Sequence, residues 1–440
     1  MFSPNCQLMS ERITYRPLPT IVFMVFALLT VLTVKVQVSD INRTHQTSDI
    51  NLIHQTSNTN LTHKDVFIGG KDKPEGYRLF RIPSIVAYEG IVMIFVEGRK
   101  NSRKDPGPSD AIDIVYKRSE DGGDTWSSLK VLADGHTSTS VPNARVAYQP
   151  TTVMDTKGGR QRIYLFYNRA HLSPFYRYSD DLGLTWSQEV GFLPALINKP
   201  PGVKKLTVNL GSGVQMEDGK LVIPTNTILS DDSNTHNRPS VVYSDDHGVT
   251  WKYGGHSEAG ANEHQLTEVF IDGQSRLYSS SRQDARSVNT RRVNYGKFNH
   301  TTEQWDWTDS STLLNERNTE IMATPVSAAI ERYTRAAGCC ESTNRLLFVI
   351  PQGKNASGQL GRYDLAVYVS TDEGRHFDKP RILHSGQASY SDIANVDGDR
   401  FMVAWERGND GGESAQFVTL TTANRKFLDC YPLSECDLKP

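Results

Sequence analysis

Arginine, carboxylate and tyrosine side chains stand at widely separated positions of this 440-residue chain, in settings that could support chemistry. Arg81 lies in Tyr77-Arg78-Leu79-Phe80-Arg81-Ile82-Pro83-Ser84, Arg99 in Glu97-Gly98-Arg99, Arg282 in Ser281-Arg282-Gln283, and Arg362 in Gly361-Arg362-Tyr363-Asp364-Leu365. A guanidinium is charged at every working pH and offers planar, forked donors that suit a carboxylate. Asp105 follows Arg81 by 24 residues, in the stiff loop Lys104-Asp105-Pro106-Gly107-Pro108. A carboxyl there can give up a proton and take one back. Asp110 and Asp113 are its rivals, although Asp113 opens a predicted strand, where a structural role is the better reading. Tyr390, in Ala388-Ser389-Tyr390-Ser391-Asp392, carries a phenol that is idle at neutral pH, because its free pKa is about 10. Taken singly, each of these side chains is well explained as a salt bridge or a buried, hydrogen-bonded group. A site requires that they converge.

Other chemistries find little support. No two cysteines or histidines stand at zinc spacing, no glycine-rich phosphate loop is present, and no metal or cofactor is expected. The net charge is −2 and the basic residues are dispersed, so no stripe for nucleic acid forms. With 37% hydrophobic residues the chain can bury a substantial core.

The elements that must position these groups announce themselves as a repeat. SEDGGDTW at 119–126, SDDLGLTW at 179–186, SDDHGVTW at 244–251 and the looser STDEGRHF at 370–377 share the form Ser-x-Asp-x-Gly-x-Thr-Trp. The first three begin 60 and 65 residues apart and the fourth 126 further on, which spaces one module per interval and skips one. Each copy reads as a hairpin: Asp caps backbone N–H groups, Gly supplies a positive φ, and the aromatic restarts a strand. Strands are expected at 112–118 and 129–132 around the first copy, at 240–243 before the third and at 364–369 before the fourth. Phe298 to Trp305 is a weaker relative in the gap. A period of roughly 60 residues over some 375 predicts an all-β, six-bladed β-propeller of four-stranded blades. A two-sheet sandwich with unrelated hairpins is the alternative.

An Arg-Ile-Pro at the entrance to the first blade, followed by these Asp boxes, resembles the sialidases (neuraminidases), over nearly all of residues 66–420. The resemblance implies that Arg81, Arg282 and Arg362 hold the substrate carboxylate, that Glu406, in Ala404-Trp405-Glu406-Arg407, braces the first of them, and that Arg99 faces the sugar ring. It implies Asp105 as acid/base, Tyr390 as nucleophile and Glu263, in Ala261-Asn262-Glu263-His264-Gln265, as its partner, with Glu268 the alternative. A tyrosine suits this task, since the anomeric carbon of sialic acid bears a carboxylate that repels an anionic nucleophile, and a nearby Glu can take the phenol proton as attack begins. Sialidases are a recognised exception to the two-carboxylate rule of retaining glycosidases. The implied activity is retaining exo-α-sialidase action on sialylated glycoproteins, glycolipids or oligosaccharides. A trans-sialidase or an anhydro-forming enzyme would keep the same first half-reaction. A non-catalytic sialic-acid-binding propeller would need the three arginines but not Tyr390, Glu263 or Asp105. The Asp boxes themselves, on outer hairpins, are read as structural.

The N-terminal region has a different composition. Residues 1–16 form a short tail, and 17–34 are uncharged and mostly Val, Leu, Ile, Phe and Met, at the lower edge of a membrane span. Arg12 and Arg16 precede this run and Lys35 follows it, so the charge bias holds the N-terminus in the cytoplasm and sends the rest across, as a signal-anchor or a cleaved signal peptide. Residues 35–64 include the nine-residue polar repeat SDINRTHQT, SDINLIHQT, and read as a stalk that leads into a propeller over 65–440. His45, His54 and His63 fall on that repeat, and a solvated stalk accounts for them better than a metal tract. Sequons at Asn42, Asn60, Asn299 and Asn355 fit passage through the secretory pathway, and Cys339, Cys340, Cys430 and Cys436 allow one or two disulfides. The expected location is a type II membrane protein or a secreted one, touching membrane only through its N-terminal segment.

Overall fold

In the strand Ile91–Arg99 the run Val92-Met93-Ile94-Phe95-Val96 is buried throughout, and its alternation sends successive side chains to opposite faces. Val92, Ile94 and Val96 pack with Met402 and Val418, whereas Met93 and Phe95 pack with Ile163 and Leu165. A sheet covered on both faces explains why its middle strands read as continuous apolar runs.

The computed structural model describes residues 61–72, 76–100, 111–135, 146–169, 173–191, 195–230, 237–283, 291–309, 324–335, 343–354, 358, 361–408 and 416–429. The tail, the apolar segment at 17–34, the polar repeat at 39–60, Asp105, Asp110 and all five cysteines lie outside these residues. Among the described residues no helix is long and apolar enough to cross a membrane.

The described chain is all-β, with five sheets and a short helix at Arg425–Asp429. The first sheet runs in chain order through Leu79–Tyr88, Ile91–Arg99, Ile112–Ser119 and Lys130–Ala133. The second is built on Ala147–Asp155, Arg162–Arg169 and Ser173–Ser179, and the third on Val203–Val208, Leu221–Leu229, Arg238–Ser244 and Lys252–His256. The fourth contains Ala261–Ile271, Gln274–Gln283, Arg291–Asn299 and Gln304–Asp309. The last has seven strands, ordered Thr62–Ile68, Phe417–Asn424, Arg400–Arg407, Arg381–Asn395, Tyr363–Ser370, Arg345–Pro351 and Ala329–Thr334. Its long strand Arg381–Asn395 changes partner midway, pairing through Gln387 with one neighbour and from Ala388 with the other.

Apolar clusters join each sheet to the next. Tyr164 and Phe166 meet Leu221 and Ile223, Val241 and Tyr243 meet Leu266 and Leu277, and Val269 and Tyr278 meet Leu346 and Phe348. The seven-stranded sheet packs back on the first through Met402 and Val418. The strand Thr62–Ile68 joins it by pairing with Phe417–Asn424, from Thr62 opposite Thr422 to Ile68 opposite Phe417. Thr62, His63 and Lys64, expected at the end of the polar stretch 35–64, are paired in this ladder.

All four Ser-x-Asp turns form, each between the two strands of a hairpin, and all use one hydrogen-bond scheme. Asp121 Oδ1 accepts from Thr125 N at 2.8 Å and from Ser119 Oγ at 2.7 Å, and Gly123 N donates to Ser119 Oγ at 2.8 Å. The same contacts recur at Asp181 and Asp246. In the fourth copy His376 replaces Thr, and its Nδ1 lies 2.7 Å from Asp372 Oδ2, so the missing hydroxyl is replaced by a ring nitrogen. The glycines have φ of 85° at Gly183 and 78° at Gly248. A Cβ at Gly183 would collide with Met93 and one at Gly248 with Tyr164, so glycine also lets each turn press on the preceding sheet. The hairpin expected at 298–305 is present, between Arg291–Asn299 and Gln304–Asp309.

Candidate active site

Three strands carry a register irregularity at a predicted site residue within the strand, and a further one breaks register between Tyr363 and Leu365, just after Arg362. The first three breaks fall between Arg81 and Ser84, between Ala261 and His264, and between Ala388 and Ser391. A bulge inserts an extra residue, bends the strand and re-aims side chains. Arg81, Glu263 and Tyr390 are at these places. Another strand has the same irregularity between Tyr148 and Thr151, where Gln149 sits.

Arg81, expected at the entrance to the first blade, lies inside the strand Leu79–Tyr88, at the bulge. Its Nε is 3.2 Å from Glu406 Oε1 and its Nη2 is 3.4 Å from Oε2. Glu406 Oε1 also accepts from Ile82 N at 2.8 Å. Ile82 has φ of 55°, an unfavourable conformation for a β-branched residue, and this bond helps to hold it. Burial disfavours the Arg81 charge, but Glu406, Tyr390 and Glu97 outweigh it and raise its pKa.

Tyr390 is buried at 5% exposure, and its hydroxyl donates to Glu263 Oε1 at 2.6 Å. Glu263 Oε2 accepts from Arg282 Nη1 at 2.8 Å, and the same Nη1 is 3.4 Å from the Tyr390 hydroxyl oxygen. The guanidinium carbons of Arg81 and Arg362 lie 5.3 Å and 5.2 Å from the Tyr390 ring centroid. Arg362 Nη1 donates to Ser389 Oγ at 3.3 Å and Nη2 to Pro325 O at 3.4 Å. Three arginines thus surround one phenol, with Glu406 against the first and Glu263 against the second. Burial and then the Glu263 charge raise the pKa of Tyr390, while Arg362, Arg81 and Arg282 pull it down. The net upward direction keeps the phenol neutral.

Two of the rival carboxylates are engaged in other contacts, while Asp105 and Asp110 lie outside the described residues. Glu268 is engaged elsewhere, accepting from Glu217 N at 2.8 Å and Ser275 Oγ at 2.6 Å. Asp113 is saturated, since its Oδ2 takes Tyr77 OH at 2.5 Å and Lys100 Nζ at 2.8 Å while Oδ1 takes Gly135 N at 2.9 Å. Arg99 is buried, and its Nε and Nη2 both donate to Glu97 Oε2, at 2.8 Å and 2.6 Å. Glu97 Oε1 accepts from Gln149 N at 2.9 Å, and Gln149 Oε1 accepts from Asn168 Nδ2 at 3.0 Å. Glu97, the partner of Arg99, and Gln149, whose N–H donates to Glu97, were not singled out from the sequence. Glu97 could have been suspected, being two residues from Arg99 on a strand and so on the same face.

A family model described as a BNR repeat-like domain matches residues 107–404, more than half of the chain. A sialidase of Micromonospora viridifaciens is 26% identical over 364 residues, covering 78% of this chain and 52% of its own length. The chain therefore spans about half of that relative. Among solved structures, a Hadza microbial sialidase aligns with a TM-score of 0.65 at 22% identity, over 79% of this chain and 66% of its own. Trypanosoma rangeli sialidase in complex with sialic acid aligns with a TM-score of 0.62 at 17% identity, over 84% and 60%. These structures share a β-propeller-like all-β fold with this chain.

Proposed function

The chain belongs to the sialidase family through its BNR repeat-like domain, and from that premise we propose that it is a retaining exo-α-sialidase acting on terminal sialic acid of glycoproteins, glycolipids or oligosaccharides. The observation that carries the reading is the 2.6 Å contact between Tyr390 OH and Glu263 Oε1, set among three arginines. The substrate carboxylate docks on Arg81, Arg282 and Arg362, which places the anomeric carbon near the phenol. As the Tyr390 oxygen forms its bond to that carbon, its proton moves to Glu263 Oε1 and the glycosidic bond breaks. Asp105 protonates the departing oxygen and then activates the water that releases the sugar with retained configuration.

Six blades fit this architecture. The seven-stranded sheet counts as two, since Arg381–Asn395 changes partner midway and Leu347 and Val349 of one half pack on Phe401 and Val403 of the other. On the same reading residues 17–34 carry the domain across a membrane, as an anchor or a cleaved signal.

The test is turnover of a fluorogenic α-sialoside by the full chain and by Tyr390→Phe, with the product followed by NMR. Release of α-sialic acid first, lost in the variant, is expected. A 2,7-anhydro product, or transfer to added lactose, would keep the site and change the reaction. Binding without turnover in both proteins would leave a sialic-acid-binding propeller.

A further inference from the structure

Arg291 opens the strand Arg291–Asn299 directly opposite Arg282 in the ladder. Residues directly opposite in an antiparallel pair present their side chains on one face, so two guanidinium groups are set side by side, an unfavourable arrangement by itself. Arg282 reaches Glu263, whereas Arg291 turns inward and is 6% exposed. Its donors go to uncharged oxygens: Nε to Ser280 Oγ at 3.1 Å, Nη2 to Ser280 O at 2.8 Å and Nη1 to Val326 O at 2.8 Å. Interior cations are costly, and most are neutralised by a hydrogen-bonded carboxylate.

The acceptors explain why a guanidinium occupies this place. Ser280 lies two residues before Arg282 on the same strand. Val326 follows Pro325, whose carbonyl accepts from Arg362 Nη2 at 3.4 Å. One rigid, planar group therefore ties the strand that carries Arg282 to the segment against which Arg362 rests. The Val326 side chain is itself in the apolar cluster that contains Tyr390.

We propose that Arg291 is a positioning residue that sets the spacing of Arg282 and Arg362 and hence the shape of the carboxylate-binding clamp. The inference deepens the sialidase reading and rests on it for the identity of the bound carboxylate. Burial pushes the Arg291 guanidinium down to about 10 against the pull of Glu263 and Tyr278, so it is charged at neutral pH and adds to the positive field around that clamp. Lysine cannot replace it, because a single ammonium cannot span acceptors on two separate segments.

The experiment compares wild type with Arg291→Lys in two ways. The order of the Arg282 and Arg362 Nε–Hε groups is read by 15N relaxation, with signals assigned through R282K and R362K, and binding of sialic acid and of its methyl ester is measured by calorimetry. The expected result is loss of order at both side chains and about a tenfold fall in discrimination between acid and ester, since small misplacements of positioning groups cost one to two orders of magnitude. Unchanged order and unchanged discrimination in a folded R291K overturn the inference, as does a lowered melting temperature with both readouts intact. Should R291K fail to fold, Ser280→Ala, which removes only the Nε acceptor, is expected to give the same change at smaller size, and its absence there overturns the inference. Failure of the wild type to discriminate acid from ester counts against the sialidase reading, while the relaxation data still decide the role of Arg291.

Discussion

Tyr390 and Glu263 stand 127 positions apart in sequence and on different sheets, yet the phenol donates to the carboxylate at 2.6 Å. In the proposed mechanism this bond gives the phenol its proton acceptor. Glu263→Gln keeps the shape and can still accept a hydrogen bond, but it is no longer a base. The expected loss in kcat is about 10²–10⁴-fold with KM little altered. Steady-state kinetics on an activated sialoside measure this, and a change confined to KM would contradict the role.

Glu406 neutralises a buried Arg81 and anchors Ile82 N, so its removal leaves a cation uncompensated in the interior. Glu406→Ala is expected to destabilise the fold by about 3–5 kcal/mol and to raise KM more than it lowers kcat. Denaturant unfolding and kinetics in parallel test this. An unfolding midpoint equal to that of wild type would remove Glu406 from its bracing role.

Asp246 accepts from Thr250 N at 2.9 Å and from the Thr250 and Ser244 hydroxyls, all within its own turn. Asp246→Ala should cost about 1–2 kcal/mol, comparable to the loss of a helix cap, with sialoside turnover unchanged when the protein is folded. The carboxyl of Asp121 is held down at about 2 by hydrogen bonds led by the Thr125 hydroxyl, and those of Asp181, Asp246 and Asp372 are also lowered, the hydrogen bonds of each turn outweighing burial. For Asp121 the folded pKa is depressed, so its contribution is present above the ordinary carboxylate pKa and is lost as pH falls from 3.8 toward 2. Acid unfolding is accordingly expected to begin in that window.

Asp392 has the opposite sign. It is fully buried, its Oδ2 accepts from Ile85 N at 2.9 Å and Ser212 Oγ at 2.6 Å, and burial pushes it up from 3.8 to about 6 despite those bonds. Between these values the native state keeps a proton that the unfolded chain has released, so stability falls as pH rises through the window. The decline from this group is about 3 kcal/mol and is absent in Asp392→Asn. Urea midpoints for both proteins at pH 4, 5, 6 and 7 provide the check, and a wild-type-minus-variant difference independent of pH would sink the assignment.

Features that depend only on neighbouring residues could be read from the chain alone. The Ser-x-Asp turns were legible because Asp, Ser, Thr and Gly satisfy one another within seven positions, and the buried runs such as Val92 to Val96 read as strands from their composition. Family resemblance added Arg81, Arg282, Arg362, Glu263, Tyr390 and Glu406, and the fold brings all six together. Of the three rivals it left open, two are engaged elsewhere in the structure, Glu268 by Glu217 N and Ser275 and Asp113 by Tyr77, Lys100 and Gly135, while Asp110 lies outside the described residues. Tertiary structure alone decided the bulges that aim Arg81, Glu263 and Tyr390, the hold of Glu97 on Arg99, and the bridge from Arg291 to Val326. The physical reason is that a turn closes on atoms a few bonds away, whereas a buried guanidinium or carboxylate takes its meaning from partners on other sheets. No local pattern encodes a partner that reaches it only when the sheets pack.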